Sequence, residues 1–522
     1  MARRLTTFSK FLITLVIVAG VFFGGKYVLE NTDFGRNLMN QTGSDTPISN
    51  DQNEDNNGPV SSDDVIKIGV VTWGGYAGGQ YFNEGFEANT NSRFYKDYGF
   101  QVEFKILDDF DASRAAWKRD EVNLLWATID AFPTEVNGLK DFDPVVVWQA
   151  DWSRGGDAIV ARRGISSVAD LRGKKIAVAE LTPSHSFLIW LLQAGGLSTS
   201  DVDIVPQSNA IDAAEVFKSQ QVDAAVVWSP DDVACLQAVP GSRVLESTRS
   251  ASNIIADVFV AKRSFVERNE KQLQQLYEGW MKGAAEINGS DSNKRKAAKI
   301  LAENFPGFTE EDTYQAIDNV RLTNHGDNVN FFGLNPAYRG VTGNSLYSRM
   351  ASVYRDLDYI AGGVPAWRLI SYPGLVETAN LTGAGQEAEG QKDFTEVSEE
   401  EGKEKEAIAT KRVSINFRTG EYQLDENAKY IIDLEFVEIA KAFANARIRI
   451  EGNTDNVGSR TSNIALSKKR AQAVKDYLVS THNMPSERFI VIGNGPDKPV
   501  ESNTNSDGRA KNRRTDFELV RD

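Results

Sequence analysis

One cysteine and three histidines in 522 residues leave little room for several kinds of chemistry. A lone thiol, Cys235, cannot close an internal disulfide, and so few imidazoles build no zinc cluster, so no metal ligand is assigned and Cys235 reads as a small buried hydrophobe. Basic residues are also in short supply. Lys and Arg number 58 against 73 Asp and Glu, a net charge of −15 that removes the electrostatic footprint of nucleic-acid binding. The segment VVTWGGYAGG sets Gly74, Gly75, Gly78 and Gly79 after an apolar run, without the Lys and Ser/Thr of a phosphate-cradling loop or the dinucleotide spacing. Glycines there more simply let backbone approach a ligand. No Ser/His/Asp arrangement and no metal-ligand spacing stands out. No catalytic residue and no cofactor is therefore assigned, and a non-enzymatic role is expected.

What is present begins with the apolar run Phe11 to Gly25, preceded by Arg3, Arg4 and Lys10. Its fifteen residues sit between a signal-peptide core and a membrane span, and snorkelling Lys10 and Lys26 would let residues 8–29 cross. With no small-x-small cleavage site following cleanly, an uncleaved anchor over 1–30 is expected, a cleaved signal segment being the alternative. Positive residues ahead of the run would leave the rest of the chain outside the cytoplasm. Two stretches of low apolar content, Asn31 to Asp64 and Gly383 to Lys411, predict a disordered linker over 31–64 and a charged linker over 376–411. A chain this long should hold two or three cores.

Between the linkers, strand-like segments alternate with helical spacing. The candidate strands are Ile66 to Trp73, Val102 to Leu107, Leu124 to Thr128, Val145 to Trp148, Ala158 to Arg162, Lys175 to Ala179, Ala224 to Trp228 and Val258 to Ala261; Ser186 to Ala194 and Leu273 to Ile287 carry helical spacing. This predicts an α/β domain with mainly parallel sheets, whose ligand would lie at the carboxyl ends of the strands. Five tryptophans (Trp73, Trp126, Trp148, Trp152, Trp228) fall at or just past those predicted ends, with Asp130, Asp151, Asp157, Asp231 and Asp232. Each Trp taken singly fits a core position. Aromatic faces beside carboxylates suit an amine, a quaternary cation or a nitrogen ring. Thr182 and Pro183 read as N-cap and first turn of a helix, whose free amides are open either to ordinary capping or to an oxyanion.

Taken in order, IGVVTWGGYAGG, DWSRGGDAIVARRGI, DLRGKKIAVAELTPSHSFL, AAVVWSPD and NVNFFGLN resemble the periplasmic substrate-binding proteins of ABC importers, in the nitrate/sulfonate/taurine group. The resemblance spans residues 65–375. It implies a bilobal, type II-like fold, with lobe one at 65–153 plus 258–375, lobe two at 155–256, and crossovers near 154–157 and 256–257. It also implies a small solute held by Trp73, Gly74, Tyr76, Asp130, Ser153, Asp157, Ser184, His185 and Trp228, and an ABC permease or a sensor as a further partner.

The last hundred residues carry a more specific pattern. IRIEGNTD over 448–455 alternates like a half-buried strand that delivers Asp455 into a loop. Leu466, Arg470, Val474 and Leu478 recur every four residues, which sets Arg470 close to the apolar stripe of a helix, where a guanidinium needs an anion. An ion pair between Asp455 and Arg470 is the plainer reading of those two residues alone. Together with FRTGEYQL, NTDNVGS, Asn463, LSKKRA, GNGPDKP and GRAKNRRTDFEL, the segment 412–522 resembles the OmpA-like peptidoglycan-binding domain, a small α+β unit. The resemblance implies that Asp455 and Arg470, with Thr454 and Asn463, hold diaminopimelate of the stem peptide. Asn453 stands where that family often has His.

The whole then predicts a cell-envelope solute-binding protein, periplasmic, anchored to the inner membrane by one helix and attached to the cell wall, serving import or sensing. The alternative is a membrane-to-wall scaffold whose bilobal domain is a spacer or docking module.

Overall fold

The computed structural model describes residues 65–415, 417 and 420–521. The anchor expected over 8–29 and the linker over 31–64 lie outside the described residues. Among the described residues no helix is long and apolar enough to cross a membrane.

The strands in chain order are β1 (Val65–Val70), β2 (Gln101–Ile106), β3 (Leu124–Thr128), β4 (Pro144–Ser153), β5 (Asp157–Ala161), β6 (Lys175–Ala179), β7 (Asp203–Gln207), β8 (Ala224–Trp228), β9 (Arg243–Ser247), β10 (Ala256–Lys262) and β11 (Val320–Leu322). Four more, β12 (Ala407–Val413), β13 (Arg447–Asn453), β14 (Phe489–Gly495) and β15 (Thr515–Val520), lie towards the carboxyl end. They form three sheets, in the orders β11-β4-β10-β3-β1-β2, β7-β6-β8-β5-β9 and β12-β15-β13-β14.

The first two sheets are mixed, which corrects the expectation of mainly parallel pairing. β1 lies parallel to β2 and β3, and β6 parallel to β7 and β8, whereas β10 runs antiparallel to β3 and β4 and β5 antiparallel to β8 and β9. The chain causes this by leaving sheet one after β4, building sheet two, and returning through β10, which enters sheet one from the opposite direction. The passages between sheets are residues 154–156 and 248–255. β4 runs past Trp148 as far as Ser153, buried throughout, so its polar end QADWS is strand rather than loop.

Helices cover both sheets. Glu270–Asn288 turns Leu273, Leu276, Tyr277 and Trp280 into the core, and Pro183–Ala194 is apolar almost all round and correspondingly enclosed. Cys235 is fully buried, and burial pushes its thiol up to about 11, a poor nucleophile.

The third sheet belongs to the carboxyl-terminal unit. Its core stacks Phe436 on Phe517, ring centroids 4.0 Å apart. The long helix Arg460–His482 lies so close to β13 that a Cβ on Gly452 would stand 2.2 Å from the Ser467 carbonyl oxygen, which requires glycine there. β12 begins at Ala407, inside the stretch expected to be a charged linker. The rest of that stretch is also ordered. Gly326 N–H donates to the Gln386 carbonyl, the Glu389 N–H to Asp327, and the Asn324 amide to the carbonyls of Gly385 and Glu387. Further along, the side chains of Gln391 and Lys392 donate to the carbonyls of Asn483 and Asn445. The segment is thus a strap that binds lobe one at one end and the carboxyl-terminal unit at the other.

That unit also sits on lobe two. Asn253 N–H donates to the Ala442 carbonyl, Arg521 to the Leu245 carbonyl, and Arg243 pairs with Glu406 at 3.3 Å. One apolar cluster runs from Leu188 and Leu192 through Ala409 and Val413 to Phe436 and Phe517.

Candidate functional site

Two places gather the expected residues. The first is the gap between the lobes, at the two passages. Here the Ser153 hydroxyl donates to Asp157 at 2.7 Å and shares a 2.7 Å contact with the Thr248 hydroxyl, which in turn accepts from Gly155 N–H. Ser153 and Asp157 therefore flank one passage between the sheets and tie it to Thr248 at the start of the other. A cavity of about 30 Å³ opens beside them, lined by Trp73, Trp126, Thr128, Asp157, Trp228 and Asp257 among others.

Carboxylates dominate this place. Asp151 and Asp257 stand directly opposite each other on β4 and β10, a cross-strand pairing of like charges that sheets normally avoid. Trp73 Nε1 donates to Asp151 at 2.8 Å, and the Tyr76 hydroxyl donates to Asp257. Burial raises both acids; the charges of Asp257 and Asp157 raise Asp151 further, and that of Asp157 raises Asp257 against the pull of the Tyr76 hydroxyl. Burial likewise pushes Asp157 up to about 7, against the pull of Ser153 and Trp228 beside it, and Asp130 up to about 8. Asp130 is fully buried with no full hydrogen bond to either carboxyl oxygen among the described residues, although the Ser186 hydroxyl and its own main chain pull its pKa down, and one oxygen each of Asp151 and Asp157 is left without a full bond.

The nearby cations have other partners, although Arg154 also pulls the pKa of Asp151 down. Arg114 forks onto Glu135 at 2.6 and 3.0 Å while stacking on Trp126, Arg154 reaches Glu389 at 2.6 Å, and Arg249 donates to Asn319 at 2.9 Å.

Several residues placed at strand ends or among the expected contacts take other positions. Trp148 is a core residue in mid-strand, packed on Phe259, Tyr277 and Trp280. Trp152 lies edge-on to Phe331. The glycines after β1 serve close packing rather than backbone approach to a ligand: a Cβ on Gly74 would stand 2.3 Å from the Ala316 carbonyl oxygen, and one on Gly75 would overlap Asp151 at 1.2 Å. Thr182 occupies the N-cap position, yet its hydroxyl donates to the Ala179 carbonyl instead of capping. His185 accepts from Leu181 N–H and is enclosed by Tyr354 and Tyr359, and burial lowers it to about 4. Ser184 is buried next to it, its hydroxyl unpartnered among the described residues. His185 faces the helix Gly343–Asp356, where Ser186 meets the Tyr354 hydroxyl at 2.9 Å.

Asp257 was not among the expected contacts. An acid inside the apolar run IIADVFVA was its available signal.

The second place is in the carboxyl-terminal unit. β13 ends at Asn453, whose amide is tied to Asp516, and the chain turns at Thr454, whose N–H donates to the Gly495 carbonyl. Asp455 accepts from Val457 N–H at 3.0 Å, and Asn463 pins the same loop through the carbonyls of Asp455 and Val457. Thr454 and Asn463 thus shape the loop that presents Asp455.

The acid's ion pair is with Arg513, at 2.7 Å, a residue the sequence pattern contained without singling out. Arg470 donates to the Glu421 carbonyl and lies 4.7 Å from the Phe417 ring centroid. Burial and the neighbouring Arg513 lower its pKa, with Asp455 opposing. Arg470, Arg513 and Arg514 line one pocket of about 70 Å³ with Phe417 and Asn453, a place suited to an anion.

Two α/β lobes with a lined gap between them, followed by a sheet carrying an Arg-rich pocket, define a solute-binding-like domain joined to a small α+β domain. Residues 153–289 match the family described as NMT1/THI5 like, and residues 416–513 match the OmpA family. The chain therefore carries an NMT1/THI5-like domain and an OmpA domain. Among its relatives, the peptidoglycan-binding protein ArfA of Mycobacterium tuberculosis is 42% identical over 90 residues, covering 17% of this chain and 27% of the relative. The chain thus spans about a quarter of that relative's length. Among solved structures, the periplasmic aliphatic sulphonate-binding protein SsuA of Escherichia coli aligns with a TM-score of 0.47 at 18% identity, over 60% of this chain and 99% of its own. The desulfurization enzyme DSZB aligns at 0.40 and 14% identity, over 60% and 98%.

Proposed function

We propose that this protein captures a small solute between its two lobes and is attached to peptidoglycan through its OmpA domain, as a binding protein rather than an enzyme, in the periplasm. The observation that carries the first half is the cavity at the hinge, lined from both lobes by tryptophans and by Asp157 and Asp257. A ligand there touches both halves at once, which is what couples binding to lobe closure. The captured solute would pass to an ABC permease or report to a sensor.

The second half rests on the OmpA domain's pocket. Asp455 and Arg470 would hold the zwitterionic end of diaminopimelate, ammonium to acid and carboxylate to guanidinium, with Arg513 already paired to the acid. An anchor over 8–29 would fix the other end to the inner membrane.

One observation favours the scaffold reading instead: the OmpA domain and the strap are bonded to both lobes, as a spacer would require. Two measurements separate these readings. A thermal-shift screen of the full chain against a solute library is expected to give stabilising hits, and none at millimolar solute favours the scaffold. A sacculus pull-down is expected to lose Asp455→Ala and Arg470→Ala; retention unchanged in both variants removes the wall-binding role of that pair.

A further inference from the structure

We propose, resting on the solute-binding reading above, that the interlobe cavity takes a protonated amine that still carries N–H groups, with an apolar or flat body placed against Trp73, Trp126 and Trp228. The cavity wall holds Asp157 and Asp257, with Asp151 behind Trp73, and no Lys or Arg lines it. An oxyanion entering would face two carboxyl groups and no counter-charge. A cation meets the reverse.

The acids also have unused capacity. One oxygen of Asp157, only 2% exposed, has no full hydrogen bond among the described residues, although the Trp228 indole acts on the same carboxyl, and one oxygen of Asp151 behind the cavity is left the same way. Buried acceptors of this kind call for donors. An ammonium with two or three N–H bonds supplies them in fixed directions, which a quaternary cation cannot. Of the nearby guanidiniums, Arg114 is held by Glu135, and Arg154, paired with Glu389, offsets Asp151 only in part and does not line the cavity. Three tryptophans line the same space, Trp126 already carrying the Arg114 guanidinium over its ring, and indole is the aromatic group that attracts a cation most strongly. In the lobe arrangement described, about 30 Å³ holds one small group, so it is the ammonium head that seats here and the body that lies along the indoles.

Titration calorimetry on the full chain tests this with methylammonium, phenethylammonium and 1,4-diaminobutane, tetramethylammonium as the cation without N–H, and methanesulfonate and sulfate as anions. A primary amine is expected to bind, with roughly tenfold or greater loss in Asp157→Asn. Its enthalpy should change with the ionisation enthalpy of the buffer, because seating the cation releases protons from the acids. Asp151→Asn serves as the second variant should the first not fold. Binding of the sulfonate or sulfate with no amine binding overturns the ligand class and leaves solute capture standing. Equal affinity for tetramethylammonium overturns the N–H requirement. No binding of any probe overturns both this inference and the capture on which it rests.

Discussion

Replacing Asp157 with Asn removes one charge and keeps the shape and the bond from the Ser153 hydroxyl. The acid's pKa stands at about 7 in the folded protein against 3.8 for an ordinary carboxyl, mainly because burial disfavours its charge. Between those two values the folded form keeps the proton that the unfolded chain has lost, so the folded state binds more protons and stability falls as pH rises. The fall starts near pH 4 and is complete above about 7. At about 1.36 kcal/mol per pH unit, the interval caps the contribution of this one acid at about 4 kcal/mol. Water reaching the hinge cavity screens the charge, and roughly 1–3 kcal/mol is expected. Asp130 works in the same direction and over a wider range, up to about 8. Urea unfolding of the wild type and Asp157→Asn at pH 5 and pH 8 measures the effect. The variant should exceed the wild type by about a third of that amount at pH 5 and by all of it at pH 8, with a flatter pH dependence. Equal pH slopes for the two proteins, or a variant weaker at both pH values, would refute the argument that an uncompensated charge sits there.

Three further outcomes follow from the geometry. Gly75→Ala should force Asp151 and the Trp73 indole apart, destabilising the protein by roughly 1–3 kcal/mol in thermal unfolding and abolishing solute binding in calorimetry. The imidazole of His185 should keep its neutral carbon shifts down to about pH 4 in an NMR titration, where an exposed His would change near 6.5. Asn324→Ala removes two bonds to the strap and the cap of the helix His325–Phe331, and hydrogen exchange should speed up at 385–389 by roughly thirtyfold, at about 1 kcal/mol per bond, while the exchange of β1 and β3 stays as it was.

Much of the fold is legible in the sequence because it is written in apolar runs. β3, β6 and β8 fall where LLWAT, KIAVA and AAVVW predict them, since strands buried on both faces read as continuous hydrophobic segments. β7 and β9, with DIVPQ and RVLES, are half-exposed edge strands whose composition is that of a loop, and they escape the same reading. The strap escapes it for a different reason. Its anchoring bonds come largely from main-chain groups, so a composition rich in Glu and Gly suggests disorder although the backbone is fixed.

In the candidate sites, residue types were legible and their partners were not. Asp455 could be picked out in its loop, but that Arg513 reaches it depends on β15 returning beside β13, a pairing 58 residues away. Trp148 was misplaced because the polar end of β4 breaks the apolar pattern. There Asn328 and Thr323 satisfy the backbone around Gln149 and Ala150 that a loop would have left to water.

The strap and the docked OmpA domain give the hinge a mechanical setting. Lobe one is held through Asn324, Gly326 and Asp327, lobe two through Asn253 and Leu245, and the grip on both converges on a single domain. Spreading the lobes has to stretch that triangle. With the wall attachment and solute capture proposed above, tension on the OmpA domain would reach both lobes at once, and an affinity measured on protein free in solution would be that of a slack molecule rather than a taut one.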